Sequence, residues 1–359
     1  MLRRVLATLM LLPCLSQAAE AVNIYNWNNY IAPDTLKNFQ RETNIHPSYT
    51  LYSQNETLDK ALEGGKSGYD VVFPSNHFMA RQILANKLQP LDRGQLPNWK
   101  NLNPALLHLL ETSDPGNRYG FPYLWGSTGI GYNIDKVRAA LGDQAPVDSW
   151  DLVFKPQYIS KLKQCGVGII DNGPELISAA LIYLGLEPHS HNPADYLKAQ
   201  ALLTRVRPYI RYLDSARYKN ELATGKICMA VGFSGDIMQA KAQATRAHSG
   251  IQISYTIPRE GAAVWFDMAA IPRNAPDPKA AYAYLNYLLE PKVMADITNY
   301  VHYANGNQNA DELLDPAIRS DPKIYPSADL MGKLFTLEPM PNDIDQLRNE
   351  VWNQIRAGS

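Results

Sequence analysis

The run Gly166-Val-Gly-Ile-Ile-Asp171-Asn-Gly-Pro-Glu175-Leu-Ile-Ser-Ala-Ala-Leu181 decides the fold class. Gly166 to Ile170 is a short apolar stretch of strand type, and from Pro174 onward Glu175, Leu176, Ile177 and Leu181 follow a helical pattern. The same alternation recurs along the chain. Val22 to Tyr25 reads as a strand and is followed by a helix over Thr35 to Glu42, capped near Asp34, with Leu36 and Phe39 inward. Tyr69 to Phe73 is a strand ended by Pro74; Ile227 to Val231 precedes a helix from Asp236 to about Ala247; Gln252 to Ile257 and Ala263 to Ile271 complete the set. Strands alternating with helices predict an α/β protein. Two joints carry acids at strand C-termini, Asp171 to Glu175 and Gly232 to Asp236, which is where open α/β sheets bind ligands. The Gly-rich, aromatic stretch Tyr119 to Asn133 suits a strand that crosses between domains.

At 359 residues, with 45% hydrophobic and 19% charged side chains, the chain is neither disordered, collagen-like nor a coiled coil. Its length predicts two domains. A net charge of −1 and a pI near 6.7 leave no basic field for a phosphate backbone, so nucleic acid is excluded as a partner. Arg3 and Arg4, the apolar run Val5 to Leu15 and the small residues from Ser16 have the layout of a secretory signal peptide over residues 1–19. Its removal leaves 32 basic against 35 acidic residues, a charge of about −3. No later apolar stretch is long enough for a bilayer span. An exported protein keeps its disulfides, and the two remaining cysteines, Cys165 and Cys228, lie in strand-like runs; a bridge between them is expected, with two buried thiols as the alternative.

Enzyme motifs fail on spacing. Gly65-Lys66-Ser67 lacks the leading glycine of a phosphate loop, since position 60 is Lys60. Gly126-Ser-Thr-Gly129-Ile-Gly131 has its glycines in the wrong order for a dinucleotide fingerprint. Gly232-Phe-Ser234-Gly235 is one spacer short of a nucleophile elbow. His189 and His191 sit in a Pro/Asn-rich loop without metal-ligand partners. No catalytic residue, metal or cofactor is implied.

Four segments instead place rings beside acids or amides: Asn26-Trp27-Asn28-Asn29-Tyr30, Gly232-Phe233-Ser234-Gly235-Asp236, Trp265-Phe266-Asp267 and Val301-His302-Tyr303-Ala304-Asn305. Ring faces attract ammonium groups and carboxylates accept charge-assisted hydrogen bonds from them, so the combination suits an organic cation. For each segment alone, core packing with an acid at a helix start is the competing reading. Only their meeting in one cleft decides between the two.

Ile24-Tyr-Asn-Trp27-Asn-Asn-Tyr30-Ile-Ala-Pro-Asp-Thr35 resembles the opening of the periplasmic polyamine-binding proteins of ABC transporters. Asp70-Val-Val-Phe-Pro-Ser75, Gly126 to Asn133, Pro146-Val-Asp-Ser-Trp-Asp151, Tyr282 to Pro291 and Lys333-Leu-Phe-Thr-Leu337 extend the likeness over the whole mature chain, and the putrescine-binding members are the most similar. The resemblance implies a type II two-lobed periplasmic-binding fold, each lobe a mixed sheet flanked by helices, closing on ligand at a hinge. It implies one lobe from 20–127 with about 248–312, a second from about 133–243 with 318–359, and crossings near 128–132, 244–247 and 313–317. By the same resemblance Trp27, Tyr30, Phe233, Trp265 and Tyr303 are ring walls and Glu175, Asp236 and Asp267 hold the amines. Ser75 falls on the cleft lip, and Leu337 lines the pocket.

Three departures stand out. Asn28-Asn29 replaces the Ser-Asp of the putrescine binders, which removes one carboxylate; His77 replaces a small residue; and Phe233 replaces a Trp. The missing charge predicts a weaker contact by about 1.5–3 kcal/mol. A neutral His77 would pair with a hydroxyl or amide, whereas a protonated one would repel a diamine and welcome a carboxylate. The implied protein is an exported, monomeric amine binder serving an inner-membrane ABC permease. Another amine such as agmatine or an ω-amino acid, or a sensory role at a membrane receptor, is the alternative.

Overall fold

The computed structural model describes residues 20–358, so the expected signal peptide lies outside the described residues. The strands are β1 (Ala21–Trp27), β2 (His46–Tyr52), β3 (Val71–Val72), β4 (Gly120–Asn133), β5 (Val167–Ile169) and β6 (Tyr212–Leu213). They continue with β7 (Met229–Phe233), β8 (Ile253–Thr256), β9 (Ala262–Ala270), β10 (Ala304–Asn305) and β11 (Leu334–Thr336). β4 organises the molecule. From Gly120 to Ser127 it pairs antiparallel with β9, and from Thr128 to Tyr132 with β7. One mixed sheet therefore runs β2-β1-β3-β9-β4 with β10 on β4, and a second runs from β4 through β7 and β5 to β6, with β8 along Ile130–Asn133. The architecture is the two-lobed α/β fold of the periplasmic binding proteins, the two sheets sharing β4 at the crossing.

The glycines of Gly126-Ser-Thr-Gly129-Ile-Gly131 are explained by this crossing. A Cβ on Gly129 would stand 2.5 Å from the Thr256 carbonyl oxygen and 2.6 Å from the Tyr255 hydroxyl. Close approach of β8 to β4, not a cofactor, requires glycine there.

Several expectations need correction. Residues 244–247 carry no crossing: they end the helix Ser234–Arg246, and β8 remains in the second sheet because Ile253 and Tyr255 bury against that helix and β4. The chain leaves this sheet between Thr256 and Ala262. Further on, Leu313 stays with the helix Pro291–Val301, its carbonyl accepting from Asn299, whereas Lys323 already reaches Ser254 on β8 at 3.1 Å. The strand expected over Tyr69–Phe73 is only Val71–Val72, and Asp34 makes no side-chain cap bond to the helix Thr35–Thr43.

Cys165 and Cys228 are disulfide-bonded, with Cα atoms 5.4 Å apart. The register explains the pairing: Val167 lies beside Met229 in the parallel pair β5/β7, which brings the approaches to both strands together.

Candidate functional site

Strand ends and helix starts from both sheets converge on a cleft of about 500 Å³. Trp27 closes β1, and its indole nitrogen donates to the Phe73 carbonyl at 2.8 Å, fixing the ring at the wall. Tyr52 packs against it with ring centres 4.4 Å apart. Tyr30, Tyr303, Trp265 and Phe233 form a chain of edge-on rings, with centroids 5.2 Å apart for Tyr30–Tyr303, 5.4 Å for Trp265–Tyr303 and 5.5 Å for Phe233–Trp265. Tilted rings of this kind present both edges and faces to the space between them. Tyr303 also crosses between elements, its hydroxyl accepting from the Asp236 amide at 3.1 Å. Gly235 makes that possible, because a Cβ there would lie 2.5 Å from the Tyr303 ring.

Three acids face this cleft, Glu175 and Asp267 buried and Asp236 half-buried. Glu175 is held in the first turn of the helix Gly173–Tyr183, which Asn172 caps by accepting from the Glu175 amide at 3.3 Å. The same Asn172 donates from its side chain to the Glu175 carboxylate at 3.1 Å, and the Thr128 hydroxyl on β4 donates to the other oxygen. Asp267, in mid-β9, accepts from the Ser75 hydroxyl at 2.6 Å, and Asn55 in turn donates to that hydroxyl at 3.0 Å. Asp236 accepts from Tyr218 at 2.7 Å. Burial pushes Glu175 and Asp267 up to about 7, against the hydroxyls of Thr128 on the first and of Ser75 and Tyr30 on the second. Burial raises Asp236 too, opposed by Lys219, Tyr218 and Tyr303. None of the three forms an ion pair among the described residues.

The cleft brings together Trp27, Asn28, Asn29, Tyr30, Ser75, His77, Glu175, Phe233, Asp236, Trp265, Asp267 and Tyr303. Leu337 is the exception. It follows β11, is 2% exposed and is not among the residues that line the cleft. Asn28 and Asn29 are exposed at the lip, with Asn29 in the left-handed region at φ 56°. His77 has a buried Nδ1 without a partner; burial, then the charges of Arg348, Arg81 and His189, push it down to about 3. It is neutral at physiological pH, which removes the protonated alternative.

Residues 34–326 match the family of bacterial extracellular solute-binding proteins. The chain belongs to this family. This solute-binding protein is 51% identical to the putrescine-binding periplasmic protein SpuD of Pseudomonas aeruginosa, over 96% of this chain and 94% of that one. It is 46% identical to the putrescine-binding periplasmic protein PotF of Escherichia coli, over 96% and 93%. A putrescine/agmatine-binding protein of Pseudomonas aeruginosa is 47% identical over 95% and 93%. Among solved structures, the spermidine/putrescine ABC transporter substrate-binding protein PotD of Streptococcus pneumoniae superposes with a TM-score of 0.79 at 27% identity, covering 95% of this chain and 99% of that one.

The solute-binding protein's cleft also has walls that the sequence reading did not assign. Asn349, Trp352, Asn353 and Arg356 line it from the C-terminal helix Asn342–Ala357. Their i, i+3, i+4, i+7 spacing was a legible signal of a second helix face, opposite the buried Ile344, Val351 and Ile355. Thr128 had no such mark, and only the fold brings its hydroxyl to Glu175, whereas Asp171 was marked by its place at the end of an apolar run.

Proposed function

We propose that this protein captures a small aliphatic diamine of the putrescine type in the periplasm and delivers it to an inner-membrane ABC transporter, its lobes closing on the ligand without covalent chemistry. One observation carries the reading: three carboxylates, Glu175 and Asp267 buried and Asp236 half-buried, converge among five aromatic rings, and none of them is in a salt bridge among the described residues. Buried acids without counter-charge are costly, and two ammonium groups are the charge this cleft lacks. The rings attract the same cations by about 0.5–2 kcal/mol each and sandwich the methylene chain.

What supports a putrescine-type ligand is the identity to named putrescine binders across nearly the whole chain. An ω-amino acid fits less well. Its carboxylate would enter a cleft where His77 is neutral and Arg356 is already 3.2 Å from Asp171. Calorimetry with purified protein tests the reading: putrescine binds and is recovered unchanged, and absence of heat with putrescine, cadaverine and agmatine alike overturns it.

A further inference from the structure

Besides these three acids and the exposed Glu56, the cleft holds Asp171, which the diamine site does not use. It stands at the end of β5, four residues before Glu175 and on the same strand-to-helix joint. Unlike the other three, it is in a salt bridge. The Trp352 indole nitrogen donates to one carboxylate oxygen at 2.9 Å and the Arg356 guanidinium sits 3.2 Å from the other. The Asp171 amide donates to the Ser215 hydroxyl at 3.0 Å, which fixes the backbone beneath it. Asp171, Ser215, Trp352 and Arg356 all line the same cleft as Glu175.

The two partners of Asp171 are of different kinds. Gly173 lies directly under Trp352, where a Cβ would meet the ring at 2.5 Å, so the indole is seated against the joint. Arg356 is two residues from the end of the described chain, in the last turn of its helix, and its side chain is 53% exposed against 15% for Asp171. A half-exposed ion pair of this sort is weak and can be exchanged. The cleft, about 500 Å³, is also larger than a four-carbon diamine fills.

From this geometry we infer that Arg356 sets the length of cation the cleft accepts, by occupying Asp171 as an internal counter-ion and so closing off the acid that follows Glu175 along this strand-to-helix joint. A longer ligand with a third cationic centre finds the next carboxylate taken and must displace the guanidinium to reach it, whereas a diamine never meets Asp171. Arg356 thus acts as a specificity-determining residue against triamines. The inference rests on the diamine reading of the cleft.

The test compares putrescine and spermidine by calorimetry at low salt in wild type, Arg356→Gln, and Arg356→Gln combined with Asp171→Asn. Loss of the arginine charge tightens any cation somewhat, so the readout is the ratio of spermidine Kd to putrescine Kd. That ratio is expected to fall about tenfold in Arg356→Gln, one charge-assisted hydrogen bond's worth, and to return to the wild-type value in the double variant. An unchanged ratio in Arg356→Gln overturns the inference, as does a fall that persists without the Asp171 carboxylate. If the single variant misfolds by circular dichroism, Arg356→Lys, which keeps a charge but not the fork, is expected to lower the ratio by a smaller factor, and no change there overturns it equally. Wild type that binds no diamine instead sinks the underlying reading, which keeps the two failures apart.

Discussion

Asp195 on the outer face of the second lobe and Asp267 in the cleft are the same residue in one protein, driven in opposite directions. Asp195 accepts from Lys198 at 2.9 Å and from Ser190 at 2.7 Å, and those bonds hold its carboxyl below the usual range. Asp267 has a hydroxyl partner of equal quality in Ser75, yet burial without a cation takes it up to about 7. Each accepts a serine hydroxyl; the desolvation around the carboxylate and the counter-ion are what differ. Glu221 with Arg217 repeats the outer pattern and Glu175 with Thr128 the inner one. Where acids are paired, the fold has satisfied itself. Where they are unpaired and line the cleft, unlike the buried Asp70 and Asp114 that backbone amides satisfy, it has left a charge for something else to neutralise.

The comparison breaks most decisively if the inner acids prove dispensable. Asp267→Ala and Asp236→Ala are each expected to weaken putrescine at least tenfold by calorimetry, from loss of a charge-assisted contact. Asp267→Asn is expected to weaken binding similarly while leaving the ligand-free Tm equal or higher, since it removes a buried acid and keeps its shape. Wild-type affinity in all three would falsify the site.

Acidity sharpens the contrast next. Glu175 and Asp267 rise from 4.5 and 3.8 to about 7 in the cleft, so the native state retains protons that the unfolded chain releases between about pH 4 and 7. Ligand-free stability is therefore expected to fall as pH rises through that window. Putrescine needs both acids ionised, so its affinity moves the other way, dropping about tenfold or more from pH 8 to 6 with proton release on binding. Calorimetry in buffers of different ionisation enthalpy reads the protons directly; a pH-independent Kd with no proton release contradicts the assignment. Asp195, held low, contributes stability that is lost only as pH falls below about 4.

A smaller effect is expected at the lip. The lost acid at Asn29 predicted one to two decades of affinity from sequence, but Asn29 is exposed, and water screens a charge placed there. Asn29→Asp is expected to tighten putrescine by only about threefold at low salt, with the gain disappearing in 0.5 M salt. The left-handed backbone at this position accepts Asp as it does Asn, so no strain offsets the gain. The least change of all belongs to the outer face: Lys198→Ala should leave putrescine affinity unaltered and shift Tm by no more than about 2 °C in a melting curve.

Much of this was readable in the chain. Strand and helix alternation announced itself through short apolar runs ending at Ile170, Val231 and Tyr25, since each run must bury its own side chains whatever its neighbours do. Ring-and-acid segments were visible for the same local reason. The second crossing was not, because Ile253 and Tyr255 alternate in a way that suits either sheet, and only pairing with Ile130–Asn133 chose one. Leu337 shows the converse: similarity placed it in the pocket, but the cleft is lined without it.

By itself the sequence determined the element types, the family and the set of residues able to hold a cation, because propensity, periodicity and side-chain chemistry are properties of neighbours along the chain. Tertiary structure alone decided which acids lack a counter-ion. Asp171 and Glu175 are four residues apart and chemically alike, yet Arg356 comes to one and Thr128 to the other. Those partners lie 185 and 47 residues away in sequence, and the free energy of a charge depends on what surrounds it in space.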